Sequence, residues 1–140
     1  MNARAAALLA TLTGCVENAP ADLPSLDSVA FTERVQPILA ERCASPACHG
    51  SERRRLRVYA PGYFRRDPTR VHRDEPLTAG ELAANERSAA SFASDVATAS
   101  ESLLVTKPLG RVNHLGGRVF TEADEAQWTL LAWLRSGGLP

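Results

Sequence analysis

From Ser28 onward the apolar side chains Phe31, Val35, Ile38 and Leu39 recur at intervals of three and four, with Glu33, Arg34 and Glu41 between them. That spacing predicts an amphipathic helix. Pro37, which has no backbone N–H, should kink this helix or mark the first turn of its second half. A second helix is expected after Thr78, which forms a capping box with Glu81, and continues through Leu82, Ala89, Phe92 and Val96 to about Ala97. A short turn follows at Ser102 to Val105. Thr121 with Asp124 opens the last helix, where Ala126, Leu130, Leu131 and Leu134 make an apolar stripe, Trp128 and Trp133 widen the buried face, and Gly137 and Gly138 end the element. Residues 51–76 hold eight arginines (53, 54, 55, 57, 65, 66, 70 and 73) and four Pro or Gly positions; they read as loop, with a short strand at Leu56 to Tyr59. No internal repeat is visible. The predicted fold class is all-α with long loops.

The first fifteen residues, MNARAAALLATLTGC, follow a different rule. Arg4, an apolar stretch from Ala5 to Leu12, and small residues running into a cysteine have signal-peptide design. The stretch is far too short to span a bilayer. Leu12-Thr13-Gly14-Cys15 resembles the lipobox of bacterial lipoproteins, which implies that Cys15 is lipidated and becomes the first mature residue. On this reading residues 1–14 are a lipoprotein signal peptide, 15–27 a Pro-containing tether without a core, and 28–140 the domain. The chain is then expected in the bacterial cell envelope, lipid-anchored to a membrane and facing the periplasm or the cell surface.

Composition narrows the partners. Sixteen basic residues balance sixteen acidic ones, with a pI near 6.8, so no whole-chain field draws the protein to nucleic acid. All but one of the basic residues are Arg, and 23 residues are Ala. Alanine buries little area and only eight aromatics remain for a core, so the chain would benefit from a buried non-protein group. There is no Ser-His-Asp set, phosphate-binding Gly loop or defined carboxylate pair, and hydrolase readings have no footing.

With Cys15 assigned to lipid, two thiols remain, Cys43 and Cys48. In an oxidising compartment two cysteines five apart suggest a local disulfide, which would make the chain a haem-free exported interaction module. The string CASPACHG adds His49 directly after the second cysteine, and a disulfide has no use for it. Covalent haem attachment does: two thiols bond one edge of the porphyrin and the following imidazole binds iron. The spacing is C-x4-C-H instead of the usual C-x2-C-H, so the loop must bulge, and Pro46 suits a bulge. A structural zinc site built from Cys43, Cys48, His49 and His114 is a further reading, disfavoured in an oxidising compartment.

The segment Phe31, Val35, Pro37-Ile38-Leu39, Cys43, Cys48-His49-Gly50 resembles the opening of c-type cytochrome domains of the planctomycete type. The string KPLGRVNHLGGRVF and the later WLRSGG resemble their close. The resemblance covers roughly residues 28–50 and 102–138. It implies a small cytochrome c-like helical domain around one covalent haem c, with the first and last helices packed across each other.

The second axial ligand can be sought among the remaining donors. The only methionine is Met1, lost with the leader, which removes the usual thioether ligand. His114 lies in Asn113-His114-Leu115-Gly116-Gly117, where glycines let the backbone approach a flat ring, and is the favoured partner of His49. His72 sits in the Arg-rich loop and is read as a solvated surface residue. Lys107 would need a strongly lowered pKa to bind metal. The arginine run is read as a solvated face, a partial screen for haem propionates, or a docking patch for an acidic redox partner. The function expected is electron transfer with a redox partner protein, without enzymatic activity, at low potential because two imidazoles stabilise ferric iron. An open second axial position would instead suit a gas sensor or a peroxidase.

Overall fold

The computed structural model describes residues 24–94 and 96–140, and the leader with Cys15 lies outside that range. The described residues are helical and contain no strand, in agreement with an all-α class. Asp27 opens the first helical run by accepting the N–H groups of Val29 and Ala30, both at 2.9 Å. The run comprises α1 (Ser28–Ala30), a π-helical turn (Phe31–Val35) and α2 (Gln36–Arg42). Pro37 lies in the first turn of α2, just after the wide turn in which the Gln36 N–H reaches Phe31 O. Proline offers no N–H to the carbonyl four residues earlier, and the π turn reorganises the ladder at that point without breaking the axis. Phe31, Val35 and Leu39 are buried along one side, as their spacing predicts.

After a long connection containing a 3-10 turn (Pro68–Arg70), α3 (Ala79–Ala90) starts at the predicted capping box. It ends several residues before the expected Ala97. Ser91 and Ser94 donate their hydroxyls to the carbonyls of Ser88 and Ser91, at 2.7 and 2.9 Å, and this local bonding competes with helix continuation. A second 3-10 turn (Ala99–Glu101) leads to α4 (Leu103–Thr106), where the Ser102 hydroxyl caps Leu104 N–H.

The last helix, α5 (Glu125–Ser136), begins after the Thr121–Asp124 pair rather than at Thr121. Asp124 accepts the N–H and hydroxyl of Thr121 and so closes the turn ahead of the helix. Leu130, Leu131, Leu134 and Trp133 are buried, whereas Trp128 is 56% exposed, which corrects the expectation that both tryptophans face the core. Five helical residues turn the chain by about 140°, so the two indoles cannot share one face.

The first helical run packs on α5. The Phe31 and Trp133 rings lie 5.2 Å apart at 49°, and Trp133 Nε1 donates to Asp27 O at 3.1 Å. Asp27 N–H donates to Ser136 Oγ at 3.0 Å. Leu26 packs against the core and on Gly137, so the ordered domain includes a piece of what reads in sequence as tether.

Residues 51–76 are not a uniformly solvated face. Arg65 is 2% exposed, and its guanidinium bonds both Glu81 carboxylate oxygens and the carbonyls of Glu75 and Pro76. The expected strand at Leu56 to Tyr59 is not formed: Leu56 lies in a bend, and Arg57, Val58 and Tyr59 bond Ser88, His49 and Asn85 instead of a neighbouring strand. Among the described residues no helix is long and apolar enough to cross a membrane.

Candidate functional site

The site is built where α2 ends. Cys43 N–H bonds Leu39 O at the end of the helix, and the chain then folds back on itself. Cys48 N–H and Gly50 N–H both donate to Ser45 O, at 2.8 and 3.0 Å, while His49 N–H donates to Cys43 O at 3.0 Å. The four residues between the cysteines thereby form a closed bulge, with Pro46 on its exposed side and Arg54 donating to Ala47 O at 3.1 Å. Gly50 is required for this closure: a Cβ there would sit 2.0 Å from the carbonyl oxygen of buried Ala44. Both sulfurs are free and half-buried. Burial pushes the Cys43 thiol up to about 11, with Cys48 adding to the rise and Arg42 opposing it.

His49 is held on two sides by one segment. Its backbone carbonyl accepts Val58 N–H at 2.9 Å, and its ring Nδ1 lies 2.9 Å from Leu56 O. A bond to a carbonyl requires the proton on Nδ1 and leaves the lone pair on Nε2. Burial pushes the imidazole below the usual histidine value; the Leu56 bond acts in the opposite sense, and His114, Arg54 and Lys107 add to the lowering. The lowering favours the neutral ring, the form that binds metals.

His114 is held in the same manner by its own loop. Its Nδ1 lies 2.8 Å from Gly117 O, and Gly117 N–H returns to His114 O at 2.8 Å. Gly117 has φ +72°, which glycine adopts freely. A Cβ at Gly116 would come within 3.2 Å of the His114 ring, so the glycine that reads in sequence as clearance for a flat cofactor also clears the imidazole itself. Lys107 donates its ammonium to Asn113 O at 3.2 Å, steadying the residue before His114.

The two loops meet. The His49 and His114 rings are 6.0 Å apart between centroids with planes only 12° from parallel. The arrangement is that of a loosely stacked pair, and its spacing also equals the roughly 6 Å that two imidazoles sharing one metal need, from about 2 Å per metal–nitrogen bond plus about 1 Å from nitrogen to ring centre. Val112 and Leu115 flank His114 with 41% and 93% of their surface exposed, a local apolar patch beside the pair. His49 and His114 are therefore brought together, with Cys43 and Cys48 on the His49 loop, whereas His72 is exposed on the Arg-rich loop. Among the described residues no group of three or more His, Cys, Asp or Glu is arranged to hold a metal ion, so the four-ligand zinc arrangement is not formed.

No protein family, curated protein or solved structure matches the chain. What marks the site is its geometry alone. That geometry includes participants the sequence reading missed: the carbonyls of Leu56 and Gly117, and Asn85, which binds both N–H and C=O of Tyr59 at 2.7 and 2.8 Å from the middle of α3. An Asn one turn beyond a capping-box Glu, on the same side of the helix, was the available signal for the latter. Backbone carbonyls leave no signal in side-chain identity.

Proposed function

We propose that the chain is a c-type cytochrome lipoprotein: Cys43 and Cys48 would carry one covalent haem c, His49 and His114 would hold its iron, and the protein would transfer electrons while anchored through Cys15. The observation that carries this reading is the near-parallel imidazole pair 6.0 Å apart, each ring with its Nδ1 already engaged by a backbone carbonyl. When bound, haem supplies a reversible one-electron couple.

The protein's own part is to present two imidazoles, each with its Nδ1 held against a backbone carbonyl and its Nε2 left as the donor. Each Nδ1–H bond to a carbonyl fixes ring orientation and raises donor strength. Two such donors favour the oxidised state and a low potential. With His49 and His114 both holding the iron, the haem would carry electrons to a partner protein rather than bind a substrate. The folded-back bulge between the cysteines supports attachment, because it returns Cys48 towards Cys43 despite two extra residues. Exposed Val112 and Leu115 supply apolar side chains beside the imidazole pair.

The test is expression of residues 15–140, Cys15→Ser, behind an exported leader in a host with haem-attachment machinery, followed by the denatured pyridine spectrum. A c-type band that stays with the unfolded chain supports the proposal. A colourless product that has lost both free thiols, in a host that matures a known C-x4-C-H cytochrome, overturns it in favour of the disulfide-bonded module.

A further inference from the structure

Residues 55–59 form no regular strand, yet their backbone groups hydrogen-bond on two sides, and the two sides have different owners. On one side, α3 side chains stand in for a neighbouring strand: Ser88 Oγ accepts Arg57 N–H at 2.9 Å, and the Asn85 amide binds Tyr59 N–H at 2.7 Å and Tyr59 O at 2.8 Å. On the other side, Val58 N–H donates to His49 O and Leu56 O takes His49 Nδ1, both at 2.9 Å. The backbone groups of residues 57 and 59 thus bond to α3, and those of 56 and 58 to His49.

The arrangement is firmly tied on the helix side. Asn85 is fully buried, and its NH2 also donates to Gln36 Oε1 at 2.9 Å, linking α3 to α2 and so to the helix that ends at Cys43. Gln36 in turn donates to Tyr59 O at 3.3 Å. Among the described residues no strand pairs with this segment, so the α3 bonds hold it on the side away from His49. We infer that Asn85 and Ser88 are positioning residues for the His49 imidazole: through residues 55–59 they hold the Leu56 carbonyl where it selects the Nδ1–H tautomer and aims Nε2.

This rests on the haem reading only for its redox consequence. Carbonyl partners of a metal-binding imidazole set its orientation and raise its donor strength. Loosening the Leu56 carbonyl weakens that donor and favours the reduced state.

The deciding variant is Ser88→Ala, at a half-buried position, with Ser88→Thr as the rescue; Asn85→Ala strands two buried backbone groups and is the harsher companion. Ser102→Ala is the control, because it removes a hydroxyl that accepts Leu104 N–H and donates to Phe92 O without touching residues 55–59. In the full chain purified without haem, 15N NMR of the His49 ring is expected to show the Nδ1–H tautomer in the wild type and in Ser88→Thr. Ser88→Ala is expected to show a mixture. In the haem-loaded chain, Ser88→Ala should raise the midpoint potential, shifting the oxidised-to-reduced ratio severalfold at a fixed ambient potential, and Ser88→Thr should restore it. An unchanged tautomer and potential in Ser88→Ala, or an equal change in Ser102→Ala, overturns the inference. If no haem attaches to any variant, the cytochrome reading fails while the ring nitrogens still decide the positioning role.

Discussion

One methyl group at Gly50 distinguishes a structural bulge from an incidental loop. Its added Cβ would meet a backbone oxygen at 2.0 Å, and buried backbone cannot swing aside as a flexible side chain could. Gly50→Ala is therefore expected to cost on the order of 2–4 kcal/mol in urea unfolding and to abolish haem attachment in the pyridine assay. Gly62→Ala meets no atom within 4 Å and bears only the strain of φ +72°, so it should cost about 1 kcal/mol and leave attachment intact. The Cys43 thiol, raised from 9.0 to about 11 chiefly by burial, carries about 100-fold less thiolate at pH 8 than it would unfolded. Alkylation of the haem-free chain should accordingly be slow at Cys43 until urea exposes it. At His114 the expectation is spectroscopic: His114→Ala in the haem-loaded chain should convert a low-spin ferric spectrum to high-spin. An unchanged spectrum would mean that the second axial position was open from the start.

At the level of elements, α3 acts as the clamp for the Arg-rich connection, and one carboxylate does most of it. Burial alone would raise the Glu81 carboxyl, but bonds from the Arg65 guanidinium, Thr78 and the Arg66 N–H bring it down from 4.5 to about 2. A depressed carboxylate stabilises the fold above its unfolded value, and that contribution is lost as pH falls from about 4.5 towards 2. The loss should amount to roughly 2–3 kcal/mol across that window, read as a falling urea midpoint in the wild type and a much flatter profile in Glu81→Gln. Glu81→Gln leaves Arg65 charged and 2% exposed, so at pH 7 it is expected to cost about 3–5 kcal/mol. The capping box itself is legible in the sequence, because Thr78 and Glu81 are three residues apart. That the same carboxylate also pairs with Arg65 is not, since nothing in a run of eight arginines marks the one that turns inward.

For the whole molecule, the packing of the first helical run on α5 separates two tryptophans that look alike in sequence. Trp133→Phe removes the donor to Asp27 O and should lower stability by about 1 kcal/mol beyond its packing loss, whereas Trp128→Phe, at a 56% exposed position, should stay within about 0.5 kcal/mol. Urea unfolding of both variants checks the contrast. The helices, their apolar faces and the α3 capping box follow from local rules of periodicity and capping that act over a few residues, and so could be read directly from the chain. The Cys43, Cys48 and His49 cluster was equally legible because its members are sequence neighbours. Only the tertiary structure decided that His114 lies parallel to His49, that Arg65 is buried, that Trp128 faces water, and that α3 side chains take the place of a strand beside residues 55–59. Each of these depends on which distant surfaces are brought together as apolar area is buried, and local spacing carries no information about that choice.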